Sequence, residues 1–585
     1  MQTFASIFCF AAGLAPRRPH RPGIGTTATL LVAGLSLLSA CREPPAPAVE
    51  SRKPSVPPAP PALARPTFNE VSDFVARTEK VLPDKPVDPL LQIEWENLNT
   101  ALRRARFWID HYQPTDTMLE RLDREVSAAR VSLDALRKGA RSETALGLRS
   151  EGYGSEIDGA FQPFLRYLPT AARDGRKLPL VVFLHGYAPD LNLVNWDAFP
   201  DSLVEFAEKN GFCLVAPFGR CNTDFQGIGE QDVLRAIREM RRRYAIDDER
   251  IILSGISMGA MGVWTIGAHY PDSFAGLVVV SGRGDYYFWK KVRRENVPSY
   301  KRTLIDADFG YSLLPRLART PVYNIHGSAD SLIPVAEARH MIDAVRKVNP
   351  AIRYVELPDK DHWIYDETFA REDLRGWMRA CRRESPARLD APDAPTATGT
   401  IKAAFLSPFF FVFAADRTDT NVIARFQAAA SDWYRFAKAM PRTAEARNMT
   451  TAHLAGYNLF LFGEPEQSEL IREALRSSPV GVTPDGFVVG KRSFPRAGNG
   501  LYLARPNPWN KDRLAVIQCG IPWGQGLSDN HKYDMLPGFI IYSDEFDDDG
   551  SNTALCAGFF DAAGQIAPES LYIKTDGGEG PAGSR

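Results

Sequence analysis

Along this 585-residue chain the alternation of apolar and polar positions changes rhythm several times, and each change marks an element. Over residues 68–146 the spacing is helical. Leu119, Leu122, Val126, Leu133 and Leu136 recur at intervals that place them on one helix face. Thr117 and Glu120 fit a capping box at the start of that helix. Trp95, Leu98, Leu102 and Ile109 mark an earlier helix, so the two predict an antiparallel hairpin with no chemistry of its own. The middle of the chain alternates continuous apolar runs with helical periodicity. Strands are expected at 178–184 (LPLVVFL), 212–216, 250–254, 277–280, 322–325 and 354–357. Helices are expected at 229–244, 258–269 and 337–348. Continuous apolar strands separated by helices mean a mostly parallel sheet covered on both faces.

The rest of the chain divides by composition. Residues 1–40 carry Arg17, Arg18 and Arg21 ahead of an apolar run that ends in Leu38-Ser39-Ala40-Cys41. A basic stretch, a short apolar segment and small residues predict a secretory signal. The ending resembles a bacterial lipobox, which implies acylation of Cys41 and anchoring to a bacterial membrane, facing the periplasm or the cell surface. Residues 41–66 are Pro- and Ala-rich and predict a stiff tether. A helical segment (67–147) precedes the main α/β domain (148–383), and a Pro- and Asp-containing linker follows at 384–397. Residues 398–570 open with the apolar run 409–413, a helix near 420–439 and a strand at 459–462, which predict a second, smaller α/β or α+β domain. Residues 571–585 are Gly-rich and predict a disordered tail.

Charge narrows the function. The 70 basic and 71 acidic residues nearly cancel, so nothing predicts nucleic-acid binding, which calls for basic excess on one face. Arg241, Arg242 and Arg243 fall on a predicted helix and read as a solvated face. The seven cysteines form no Cys-x-x-Cys or Cys/His cluster, so no metal site is expected. Cys213 and Cys221 are candidates for a disulfide that spacing alone does not decide.

The chemistry sits in the middle domain. Gly255-Ile256-Ser257-Met258-Gly259 lies directly between a predicted strand and a predicted helix. A sharp strand-to-helix turn holds the serine in a strained conformation, and small residues two before and two after leave room for it. The turn also places the Met258 N–H and the helix N-terminus beside any oxyanion that forms. A serine hydroxyl needs a base, and the base an orienting carboxylate. Asp330 follows one strand, in His326-Gly327-Ser328-Ala329-Asp330, and His362 follows the next, in Asp361-His362-Trp363. Ser257, Asp330 and His362 therefore stand in the order of a nucleophile, acid and base. Asp361 is the alternative carboxylate, but adjacent to His362 its side chain points away from a ring aimed at Ser257. The second oxyanion donor is assigned to the backbone N–H of Tyr187, after the LPLVVFL strand, and His185 is read as ordering that loop.

These stretches, together with Leu184-His185-Gly186-Tyr187 and Gly229-Glu230-Gln231-Asp232-Val233, make residues 150–380 resemble the esterase and prolyl-oligopeptidase-type branches of the α/β-hydrolase superfamily. Feruloyl-esterase-like and polyhydroxyalkanoate-depolymerase-like proteins are similar. Ala260 departs from the pattern, where relatives usually carry a second glycine. The resemblance implies an α/β-hydrolase fold, helix-capping roles for Glu230 and Asp232, and a serine hydrolase acting through an acyl-enzyme without metal or organic cofactor. A small-molecule or polymer-linked ester is the expected substrate. The alternatives are a prolyl-oligopeptidase-like serine peptidase and a non-catalytic binding protein on a hydrolase fold.

Overall fold

Seven consecutive buried side chains, Leu178–Leu184, form the strand around which the middle of the chain is built. The computed structural model describes residues 67–384 except 197, residues 399–528 and residues 532–574. Cys41, the leader and the tether lie outside the described residues, as do most of the linker and the tail from 575.

The main sheet contains β1 (Gly147–Gly154), β2 (Phe161–Leu168), β3 (Leu178–Leu184), β4 (Cys213–Pro217), β5 (Ile246–Ile256), β6 (Gly276–Val280), β7 (Val322–Gly327) and β8 (Arg353–Leu357). Their spatial order is β1-β2-β4-β3-β5-β6-β7-β8. Strands β3 to β8 are parallel, and the β1–β2 hairpin joins β4 antiparallel through β2. This is the α/β-hydrolase architecture, and it follows from apolar strands that must be covered on both faces.

One face is covered by α1 (Phe68–Lys80), α2 (Pro89–His111), α3 (Asp116–Lys138) and α4 (Asp201–Asn210), the other by α5 (Ile228–Arg243) and α6 (Met258–His269). Helices α7 (Tyr286–Lys290) and α8 (Ser299–Asp308) form an insertion after β6, α9 (Val335–Val345) joins the second face, and α10 (Tyr365–Ala370) and α11 (Glu372–Ala380) the first. The expected hairpin is α2–α3. Its second helix is capped two residues earlier than expected, by Thr115 in place of Thr117, because the Thr115 side chain accepts the Met118 N–H at 3.3 Å.

The arginine run at the end of α5 is not a solvated face. The Arg243 side chain is fully buried and lies 2.9 Å from both Glu151 and Glu239. Arg242 pairs with Glu96 and Glu239 at 2.5 Å each. The last turn of α5 packs where α2 and β1 supply carboxylates, so the run fastens the helical segment to the sheet.

The second sheet contains β9 (Phe409–Phe413), β10 (Thr443–Glu445), β11 (Asn458–Phe462), β15 (Asn499–Asn507), β16 (Asn510–Gly520), β17 (Phe539–Phe546), β18 (Asn552–Gly558) and β19 (Tyr572–Ile573), in the order β10-β9-β11-β16-β15-β17-β18-β19. Three short strands, β12 (Val480–Val482), β13 (Gly486–Val489) and β14 (Arg492–Pro495), form a separate sheet. The first four strands of the larger sheet's order are parallel and the others antiparallel, a mixed sheet. Residues 571–574, expected in the tail, instead carry β19, which pairs with β18 and brings Tyr572 within 5.7 Å of the Tyr300 ring.

This second unit touches the first along one edge. Phe409 N–H and Arg442 Nη1 both donate to the Ile157 carbonyl, at 3.1 and 2.8 Å, in the β1–β2 turn. Arg220, after β4, donates to the Ala437 carbonyl at 3.3 Å. Lys301 on α8 pairs with Asp547 and Asp549 at 3.1 and 2.8 Å, and Lys402 pairs with Asp308. The β1–β2 turn lies beyond the carboxyl end of β4, because Phe164 is opposite Pro217. All these contacts thus fall at the carboxyl edge of the parallel strands, where open α/β sheets place their sites.

Candidate active site

Ser257 follows β5 and caps α6 with φ 53° and ψ −114°, a region that side chains other than glycine rarely occupy. The neighbours explain how the turn is tolerated. A Cβ at Gly255 would lie 2.4 Å from the Gly259 carbonyl oxygen, and one at Gly259 would lie 2.1 Å from the Leu184 oxygen. Only glycine fits at both, so strand β3 and the start of α6 close on each other around the serine. Ala260, where a further glycine was usual in the resemblance, is itself buried against Gly282. The Ser257 N–H donates to the Val280 carbonyl at 2.9 Å, which fixes the elbow to the end of β6.

His362 and Asp330 arrive on the loops after β8 and β7. His362 Nδ1 lies 2.8 Å from Asp330 Oδ2, and both residues are buried. The other carboxylate oxygen, Oδ1, accepts the N–H groups of Leu332 and Ile333 at 3.0 and 2.8 Å. Burial alone would push the Asp330 carboxyl up, but hydrogen bonds from His326, His362 and the Ile333 amide outweigh it and hold the group well below the usual carboxylate range. Asp361 takes another part. Its Oδ1 accepts from the Ser331 N–H at 2.8 Å, the Ser331 hydroxyl at 2.9 Å and the His362 N–H at 2.8 Å, tying the two loops together.

Sequence reasoning missed Ser281. Its hydroxyl donates to the His362 carbonyl at 3.3 Å, while the preceding residue, Val280, accepts the Ser257 amide. One dipeptide at the end of β6 therefore ties the serine loop to the histidine loop. Ser281 has φ 49° and is fully buried, and only its place after an apolar strand would have marked it.

The two assigned amides belong to the residues that follow β3 and Ser257. Met258 is the first residue of α6, so its N–H belongs to those a helix leaves without an internal partner. Tyr187 lies just after β3, and the intervening Gly186 is close enough that a Cβ there would be 3.5 Å from the Ser257 Cβ. His185 contacts the Gly186 and Phe218 carbonyls at 2.9 and 3.1 Å, bonds that order the loop. Three large apolar side chains on these loops face solvent: Tyr187 is 53% exposed, Leu332 60% and Trp363 69%.

Behind the elbow, Glu230 at the start of α5 joins His269 at the end of α6, Oε2 to Nδ1 2.7 Å. Burial lowers the His269 value, but Glu230 more than restores it and raises the imidazole to about 9. Asp232 and Asp158 enclose the fully buried Arg220 at 2.9 and 2.6 Å. Cys213 and Cys221 are both buried free thiols, pushed up to about 12 by burial. No helix among the described residues is long and apolar enough to cross a membrane.

Residues 221–379 match the prolyl oligopeptidase family. Dipeptidyl-peptidase 5 of Porphyromonas gingivalis is 24% identical over 238 residues, 36% of this chain and 34% of that protein. A bifunctional acetylxylan esterase/xylanase of Neocallimastix patriciarum is 28% identical over 159 residues, 26% of this chain and 20% of that protein. The chain thus spans about a third or less of the length of these relatives. Among solved structures, a thermostable esterase is similar at a TM-score of 0.31 and 22% identity, covering 40% of this chain and 63% of that one. The middle of the chain thus has the strand order of an α/β-hydrolase, and its residues 221–379 are similar to the prolyl oligopeptidase family.

Proposed function

We propose that the protein hydrolyses carboxylic esters through an acyl-enzyme, with Ser257 as nucleophile, His362 as base and Asp330 as the orienting carboxylate. The observation that carries this reading is the strained elbow at Ser257, tied through Val280 and Ser281 to the loop whose histidine is bonded to Asp330. His362 takes the Ser257 proton as the hydroxyl oxygen attacks the acyl carbon, and Asp330 stabilises the imidazolium. The Met258 and Tyr187 amides bind the oxyanion. The leaving alkoxide takes the proton from His362, and water, deprotonated by the same histidine, then releases the acid and restores Ser257. No step calls on a metal or an organic cofactor.

Ester rather than peptide substrates are favoured by what surrounds the site. An alkoxide leaves more readily than an amine, which must be protonated as it departs. The exposed Tyr187, Leu332 and Trp363 offer apolar surface to an acyl or aryl group, as carried by small esters or by aromatic esters linked to a polymer. The likeness to a dipeptidyl-peptidase keeps the peptidase as the second reading. A screen of ester, thioester and peptide substrates with Ser257→Ala as control decides between them. Turnover of p-nitrophenyl acetate or methyl ferulate well above that of peptide amides supports the esterase. Efficient cleavage of peptide amides with those esters untouched replaces it with the peptidase.

For localisation we infer export and a lipid on Cys41, on the strength of Leu38-Ser39-Ala40-Cys41 and the tether behind it. Mature protein that partitions into detergent and begins at an acylated Cys41 supports this; an unmodified N-terminus elsewhere rejects it.

A further inference from the structure

A second histidine lies against the carboxylate of the acid loop. His326, the penultimate residue of β7, is fully buried, with Nε2 2.8 Å from the Ile333 carbonyl oxygen and 3.2 Å from Asp330 Oδ2. A carbonyl only accepts, so Nε2 carries a proton. Nδ1 is buried and has no hydrogen-bond partner among the described residues, and a proton there would be desolvated without compensation. His326 is therefore the neutral Nε2–H tautomer, and its one N–H is shared between Ile333 and Asp330. Asp330 Oδ2 thus sits between two imidazoles, while its Oδ1 is taken by the Leu332 and Ile333 amides.

We propose that His326 is a positioning residue: by sharing Asp330 Oδ2 with His362 it fixes the carboxylate against the base and tempers its strength as an acceptor. The inference rests on the reading of Asp330 and His362 as the acid and base. Every donor on a carboxylate oxygen draws charge from it, so removing the His326 N–H leaves Asp330 a stronger acceptor for the His362 proton. The protonated base is then more stable, and activity on the acid side should appear at higher pH. The groups that face this pair are few. Glu356 lies opposite His326 on β8, bound to Arg339 and Tyr354. Glu337 faces it from α9, with Arg283 and His340 acting on Glu337 in turn. Asp361 is committed to Ser331 and the His362 amide, and Tyr365 on α10 stands edge-on to His362 at 6.0 Å. Glu337 and Glu356 also feel the His326 ring, so the lost N–H is separated from their response by comparing two replacements of His326.

The test uses the full chain and two variants, His326→Leu, which removes the donor, and His326→Gln, whose side-chain N–H can reach the Ile333 carbonyl. The rate of Ser257 labelling by a fluorophosphonate and kcat for p-nitrophenyl acetate are followed against pH, with Tm alongside. For His326→Leu, kcat should fall about 10- to 100-fold with KM within about two-fold, and the acid-limb midpoint should move up by about half a pH unit. His326→Gln should recover most of both. A midpoint that stays or moves down, or equal losses in both variants that track Tm, overturns the inference. If His326→Leu does not fold, a folded His326→Gln with kcat reduced more than about 100-fold overturns it equally, and one near wild type supports it. Labelling needs only an activated serine, so a wrong choice of ester leaves the test intact. Wild-type Ser257 that is not labelled instead removes the triad reading itself.

Discussion

His362 Nδ1 reaches Asp330 Oδ2 across 2.8 Å, while Asp361, the residue next to His362 in sequence, gives its carboxylate to Ser331 and the His362 amide. The two aspartates should therefore fail differently. Asp330→Asn removes the charge that stabilises the imidazolium and should lower kcat by about a thousand-fold or more. Asp361→Asn only loosens the joint between two loops and should cost about ten-fold or less. Parallel kcat measurements check this, and the reverse ranking would move the acid to Asp361.

Gly259 tests the elbow sterically. Its missing Cβ would lie 2.1 Å from a β3 carbonyl oxygen, an atom that cannot step aside without moving the central strand. Gly259→Ala should cost about 2–3 kcal/mol of stability or more and slow labelling of Ser257. Urea unfolding and labelling rates measure both, and a variant with wild-type stability would show that the turn is looser than its geometry.

The Glu230–His269 pair predicts a pH dependence of stability. The folded imidazole titrates near 9, above its ordinary 6.5. A raised value means the pair's contribution is complete below about pH 6.5 and is lost as pH rises through about 9. For this buried pair the amount is on the order of 2–3 kcal/mol. Unfolding free energies at pH 6 and pH 9.5 should differ by more in the wild type than in Glu230→Gln. Equal pH dependence in both would remove this pair as the cause.

Arg220 holds Asp158 and Asp232 in the interior and reaches the second unit through the Ala437 carbonyl. Arg220→Met strands two buried carboxylates and should cost about 3–5 kcal/mol. Its thermal midpoint should drop strongly at neutral pH, and a small drop would mean that water reaches the site.

What could be read from the chain beforehand was local. The LPLVVFL strand, the glycines around Ser257 and the position of Asp330 and His362 after strands all depend on a few adjacent residues. Arg243 looked like surface because two of its carboxylate partners, Glu96 and Glu151, lie about 90 or more residues away and only Glu239 is local. Tyr572 looked like tail because a Gly-rich stretch follows it and the Tyr300 ring it meets comes from a distant segment. His326 was visible as a residue, but its part depends on which way the Ile333 carbonyl points.

The central claim is that Ser257 is an activated nucleophile. Mass spectrometry of the protein treated with a fluorophosphonate near neutral pH tests it most directly. A single adduct on the peptide carrying Ser257, absent from Ser257→Ala and from protein unfolded beforehand, is the predicted result. An unlabelled Ser257 in folded protein, or an adduct that persists in Ser257→Ala together with undiminished ester turnover, would contradict it.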